Sequence, residues 1–147
     1  MTPIPPLRRG LRPEWIDDNQ HLSEAYYVLL FGDATEHAMA HIGMPPAYRE
    51  RAKCSLFTVE AHIRYLEQVL PGEEVTVTTQ VTEVDGKRLV FWHEMTAAGR
   101  LRATAEILGV HVDLVAARST PLPGDVRAAA EALLADAPKE AGRVGRR

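Results

Sequence analysis

Between Ser23 and Gly43 the positions Tyr26, Leu29, Leu30, Ala34, Ala38, His41 and Ile42 recur at steps of three and four. That is the period of one buried helix face, so the spacing predicts a single long amphipathic helix. Ser23 stands where a side-chain oxygen caps the first turn, Glu24 suits the positive end of the helix dipole, and Gly43 with Pro45 and Pro46 ends the run. After a loop from Met44 to about Lys53 the period becomes two. "CSLFTVEAHIRYL" sets Phe57, Val59, Ala61, Ile63 and Tyr65 against Thr58, Glu60, His62 and Arg64, and "EEVTVTTQVTEV" sets Val75, Val77, Thr79 and Val81 against polar neighbours. Pro71-Gly72 turns the first strand into the second, Asp85-Gly86 is a hairpin signal leading to "KRLVFWHEMTA", and Ala98-Gly99 leads into "RLRATAEILGVHVDL". With a short strand in "PLRRGLRP", the pattern predicts an α+β fold: a five-stranded antiparallel sheet with one long helix packed on one face. A last helical segment, about Asp125 to Ala135, has too narrow an apolar face to be essential, and the tail "APKEAGRVGRR" reads as frayed.

Composition narrows the classes. A length of 147 residues with 46% hydrophobic content suits one globular domain, with a core over about 7–122 and a helical, frayed extension over 123–147. A formal net charge of -3 and 6% aromatic residues leave neither a basic stripe nor stacking platforms, so nucleic acid is not an expected partner. "MTPIPPLRRGLRP" has prolines where a signal peptide needs an apolar core, and no stretch approaches the ~20 apolar residues of a membrane span, so the expectation is a cytoplasmic protein without membrane contact. The single cysteine, Cys54, reads as a small buried or half-buried residue. His37 and His41 are four apart, but "HAMAH" lacks the glutamate of zinc hydrolase helices and no third ligand is evident, so neither a metal nor another cofactor is expected.

Three stretches carry a family likeness: "WIDDNQHLSEAYYVLLFGDA", "FTVEAHIRYLEQVLPGEEVTV" and "RATAEILGVHVDL". In order and spacing they resemble the hotdog-fold thioesterases of the 4-hydroxybenzoyl-CoA and acyl-ACP thioesterase group, over nearly everything from Leu11 to Leu122. "FGDATEHAMAHIG" with "TVEAHIRYL" is most similar to the betainyl-CoA thioesterases of carnitine breakdown. The resemblance implies a five-stranded sheet wrapped around the helix, and an enzyme that hydrolyses an acyl-CoA thioester, such as betainyl-CoA, to free acid and CoA.

Thioester hydrolysis needs a carboxylate to attack the carbonyl or to activate water, and donors where the oxyanion forms. Orphan amides of roughly Glu24 to Tyr26 at the helix start supply such donors. The resemblance assigns nucleophile or general base to Asp17 and substrate orientation to Asn19 and His21. Read from residue type alone, Asp17 equally organises an Asx-turn, Asn19 braces a loop, and His21 orients Asp17, bonds substrate or satisfies a buried carbonyl. Many relatives have asparagine where this chain has Ser23.

Glu60 lies among residues expected on the dimer-facing side of the sheet, where a buried carboxylate needs a partner: Arg64, His62 or a cationic acyl group. A quaternary ammonium is held by aromatic faces and a nearby negative charge, and Trp15 and Tyr27, with Tyr26, Phe31 and Trp92, are available for that cage or as ordinary core. Arg88, Arg100, Arg102 and Arg118 are candidates for CoA phosphates. The fold implies a homodimer or a dimer-of-dimers tetramer, with the site between subunits. Two rivals are a non-catalytic acyl-CoA-binding module and a hotdog hydratase. The hydratase signature places its aspartate and histidine one residue further apart, with a proline after the asparagine, where this chain has Gln20.

Overall fold

The structure, a computed structural model, describes residues 2–146. In chain order it contains β1 (Leu7–Gly10), a 3-10 turn at Pro13–Trp15, α1 (Glu24–His41), α2 (Pro46–Ala52), β2 (Cys54–Tyr65), β3 (Glu74–Val84), β4 (Arg88–Ala97), β5 (Arg100–Asp113), β6 (Arg118–Ser119) and α3 (Gly124–Ala132). The strands pair antiparallel in the order β1-β3-β4-β5-β2, with β6 added to the end of β5. Register slips at Thr58/Glu60, Val81/Glu83 and Met95/Thr96 bend the sheet, because an extra residue on one strand increases local twist. The curled sheet holds α1 against β3 and β4. This is the hotdog arrangement, with β6 a sixth strand that the sequence pattern did not predict.

The long helix is where periodicity placed it, but its buried face is rotated. Tyr27, Leu30, Phe31, Ala34, Thr35, Ala38 and Met39 face the core, while Leu29 is exposed. Ser23 occupies the cap position without making a side-chain cap hydrogen bond. The loop expected after Met44 contains α2, started by Pro46 and ended by Lys53 in the left-handed region, with Tyr48 buried beneath it. Strand β2 also departs from simple alternation. The bulge at Val59 shifts its phase, so Leu56 points into the core before it and Ile63 packs there after it, leaving Phe57 and Val59 50% and 57% exposed.

The C-terminal region contains a helix, as expected, followed by a tail that bonds the sheet. Helix α3 sends Val126 and Ala130 into the main core. Beyond it, the amides of Gly142, Arg143 and Val144 donate to the carboxylate of Glu106 at 2.7, 2.7 and 3.3 Å, and the Gly145 amide donates to Glu60 Oε1 at 2.8 Å. Glu106 is only 2% exposed, and Val144 packs with Val90 and Leu108 on the sheet face turned away from α1. Positive φ angles at Gly142 (+90°) and Gly145 (+73°) turn successive N–H groups toward the two acids, a conformation that favours glycine.

A buried histidine ties the helix to the sheet. His93 is fully enclosed between the rings of Phe31 and Phe91, at centroid distances of 5.9 and 6.1 Å. The Thr35 hydroxyl donates its one proton to the Phe31 carbonyl, so it accepts from His93 Nε2–H at 2.8 Å. Nδ1 therefore accepts from Thr79 at 2.8 Å, which locks a neutral tautomer. Burial pushes the imidazole pKa down to about 3. Below the unfolded-state value near 6.5 the unfolded chain takes up a proton that the native state refuses. Stability is thus fully present above about pH 6.5 and falls, by up to about 1.4 kcal/mol per pH unit, as the pH drops toward 3. Denaturant unfolding of wild type and His93→Gln at pH 7, 5.5 and 4.5 is expected to show a shallower acid loss in the variant; parallel losses would contradict the assignment.

Candidate active site

The segment leading into α1 is a closed turn. The amide of Asp17 donates to His21 O and that of Gln20 to Asp17 O, both at 3.0 Å, with Gln20 in the left-handed region at φ 63°. One carboxylate oxygen of Asp17, Oδ1, accepts from the Asn19 amide at 2.8 Å. The other, Oδ2, lies 4.0 Å from His21 Nδ1, which donates to Leu22 O at 3.3 Å. The Asx-turn reading of Asp17 is thus met on Oδ1, while Oδ2 has no hydrogen bond among the described residues.

Beyond the turn opens a cavity of about 540 Å³ lined by Asp17, His21, Leu22, Ser23, Glu24, Tyr27, Tyr65, Leu66, Glu67 and Gln68. The helix start faces it. Tyr26 N–H is taken by Ser23 O at 2.9 Å, whereas the Glu24 and Ala25 amides have no acceptor among the described residues. Those two groups, at the positive end of α1, are the donors available to an oxyanion. Tyr27 meets Tyr65 edge to face at 5.1 Å. Burial raises the pKa of both phenols; nearby Asp17 and Glu73 add to the rise at Tyr27, and Glu24 adds to that at Tyr65. Among the described residues no lysine or arginine lines the cavity, though Arg100 pairs with Glu67 at 2.8 Å.

Of the residues singled out from sequence, Asp17, His21 and Tyr27 line this cavity together. Asn19 does not: it is exposed and serves the turn through its backbone amide. Trp15 is buried behind the turn, stacked on Tyr26 at 5.5 Å with Arg12 over its ring, and its carbonyl accepts from Ser23 N–H. Glu60 is exposed in the single chain, lies outside the cavity lining and accepts from the Gly145 amide of the tail, with no bond to Arg64 or His62 among the described residues. The tail's docking on Glu60 is illegible in a strand pattern. Glu24, Tyr65 and Glu67 were missed; the helix-start position of Glu24 was the one signal for them. Trp92 pairs in register with Glu106, the residue that holds the tail, and Phe31 is core. His37 and His41 spend Nε2 on the carbonyls of Pro5 and Thr2, at 2.9 and 2.7 Å. Arg102 is fully buried and cannot reach a CoA phosphate.

A curled antiparallel sheet around one long helix, with a cavity at the helix start, is the architecture of the hotdog thioesterases. Family comparison places residues 11–130 in the thioesterase-like superfamily, and the chain belongs to it. It is 42% identical over 123 residues to the betainyl-CoA thioesterase of Pseudomonas aeruginosa, covering 82% of this chain and 77% of that protein. It is 38% identical over 136 residues to the L-carnitine dehydrogenase/betainyl-CoA thioesterase of Rhizobium meliloti, covering 88% of this chain but only 27% of that longer protein. A Staphylococcus aureus protein solved in complex with CoA superposes with a TM-score of 0.84 at 26% identity, over 97% of this chain and 92% of that one.

Proposed function

We propose that this protein hydrolyses betainyl-CoA to betaine and CoA in the cytoplasm, as a step of carnitine breakdown. The observation that carries the reading is the chemistry of the cavity: Asp17, Glu24 and Glu67 with Tyr27 and Tyr65, and no lysine or arginine among the described lining residues. Carboxylates and aromatic rings favour a quaternary ammonium, and the betainyl nitrogen lies only two bonds from the thioester carbonyl. Its seat must therefore adjoin Asp17. Glu24 has no side-chain partner among the described residues, and it replaces Glu60 as the acid assigned to the cation.

In this reading Asp17 Oδ2 adds to the carbonyl carbon, or takes a proton from a water that adds there, with His21 orienting it. The resulting oxyanion accepts from the Glu24 and Ala25 amides. Collapse breaks the C–S bond and expels the CoA thiolate; where Asp17 acted as base, the proton it took from water goes to that thiolate, and where Asp17 itself added, a water then hydrolyses the mixed anhydride to betaine and restores the carboxylate. The working unit is a homodimer. Strand β2 is a long edge, and Phe57, Val59, Tyr65 and Leu66 on or beside it are exposed, as are Val28 and Leu29 on α1.

The reading is tested by kcat/KM for betainyl-CoA against its neutral tert-butyl isostere, in which carbon replaces the quaternary nitrogen. A preference of about tenfold or more for the cation is expected, about 1.4 kcal/mol. Equal turnover of the two would overturn the cationic substrate and leave a general acyl-CoA thioesterase.

A further inference from the structure

Arg102, on β5, is wholly enclosed, yet it reaches the wall of the cavity just described. Nη1 and Nη2 donate to the two carboxylate oxygens of Glu73 at 2.9 and 2.8 Å, Nη2 also donates to Ala97 O at 3.0 Å, and Nη1 to Gln68 O. Its backbone carbonyl accepts from the amides of Leu66 and Glu67 at 2.9 and 3.0 Å. Glu73, with its pKa lowered chiefly by the guanidinium, accepts from Leu70 N–H at 2.8 Å. One residue and its acid thus tie down the segment from Leu66 to Glu73 at five points along its backbone and side chains.

That segment in turn holds the catalytic turn. Leu22 N–H donates to Val69 O at 2.8 Å, and Val69 N–H donates to the Tyr27 hydroxyl at 3.2 Å. Leu22 directly follows His21 and precedes the helix cap, so the position of Asp17 relative to the helix-start amides depends on where Val69 stands.

We infer that the Arg102–Glu73 pair is a positioning device for the thioesterase site, setting Asp17 and the Leu66–Gln68 wall in register with the start of α1. An ion pair of this kind is a poor way to gain stability alone, since a well-packed apolar pair of similar volume does as well or better. Arg102 Nε is also buried without a partner. What the planar guanidinium supplies is a fixed fork that sets several acceptors at once.

The inference rests on the hydrolytic reading of Asp17, so its test has one arm that does not need turnover. Arg102→Met and Glu73→Gln are made singly and together. Removing both charges avoids the stranded charge that each single change leaves, so the double variant is expected to recover most of the thermal stability that Arg102→Met loses. Its kcat is nevertheless expected to stay ten- to a hundredfold below wild type, with KM for acyl-CoA changed by less than about threefold. Amide hydrogen exchange at Leu22 and Val69, measured on the free proteins, is expected to quicken at least tenfold in the same variant. A double variant whose kcat returns with its stability would overturn the positioning role, as would unchanged exchange at both amides. If wild type turns over no acyl-CoA, the hydrolytic reading fails and the exchange arm alone decides whether the pair fixes the turn. Glu73→Gln, at a carboxylate partly open to solvent, carries the same two readouts if the double variant does not fold.

Discussion

Replacing Asp17 by asparagine is expected to lower kcat for thioester hydrolysis by about 10²- to 10⁴-fold, the range for removing a positioned acid–base group. Asparagine suits the test because Oδ1 survives. It continues to accept from the Asn19 amide, so the turn from Asp17 to His21 is preserved while the charge on Oδ2 is lost. The melting temperature is accordingly expected to stay within about 2 °C of wild type. Acyl-CoA binding, followed by calorimetry, should change by only a few-fold. A variant retaining a tenth or more of the wild-type rate would remove Asp17 from the chemistry and leave it as a turn residue. Asp17→Ala serves as the contrast, since it deletes the turn acceptor as well and is expected to lose stability in addition to rate.

That pair of substitutions shows what was readable in the sequence at this site. Helix start, carboxylate and histidine are neighbours in the chain, so their grouping in one cavity follows from local spacing. Asn19 belongs to the same motif, yet it is exposed and absent from the cavity lining, and its backbone amide closes the turn. The remaining walls come from the segment after β2, more than 40 residues downstream, and are held by Arg102 through a network that no local pattern announces. Phe57 and Val59 were misread for a related reason. A period-two reading assumes an unbroken strand, and the bulge at Val59 reverses which residues face inward. On α1 the run Tyr26-Tyr27-Val28-Leu29-Leu30-Phe31 is apolar nearly all round. Its phase therefore could not be chosen from periodicity, and Val28 and Leu29 are left on the surface.

Ending the chain after Asp136 is expected to destabilise the protein by about 2–4 kcal/mol, lowering its melting temperature by roughly 5–15 °C. The deletion takes away three amides bound to the carboxylate of Glu106 and one bound to Glu60, together with the contact of Val144 on Val90 and Leu108. Hydrogen bonds to charged groups are worth more than neutral ones, and a carboxylate built into a sheet face has few other partners. Glu106→Gln is expected to lose less, because the amide keeps one acceptor oxygen for the tail. Calorimetric melts of the full chain, the truncation and Glu106→Gln give the order directly. A truncated chain melting within about 2 °C of the full one would show the docked tail to be energetically idle. Composition pointed the other way because small, charged and glycine-bearing residues usually fray. Here the glycines supply the left-handed turns that aim the amides, and the acid that receives them lies 36 to 38 residues away in sequence.

Release of free CoA thiol from betainyl-CoA, followed with a thiol reagent on the purified wild-type protein beside Asp17→Asn, tests the central claim most directly. Steady turnover by wild type that is lost in the variant is the expected result. Tight acyl-CoA binding with no thiol released, from betainyl-CoA or from straight-chain and aromatic acyl-CoAs, would contradict it and mark the chain as a binding module on a thioesterase fold.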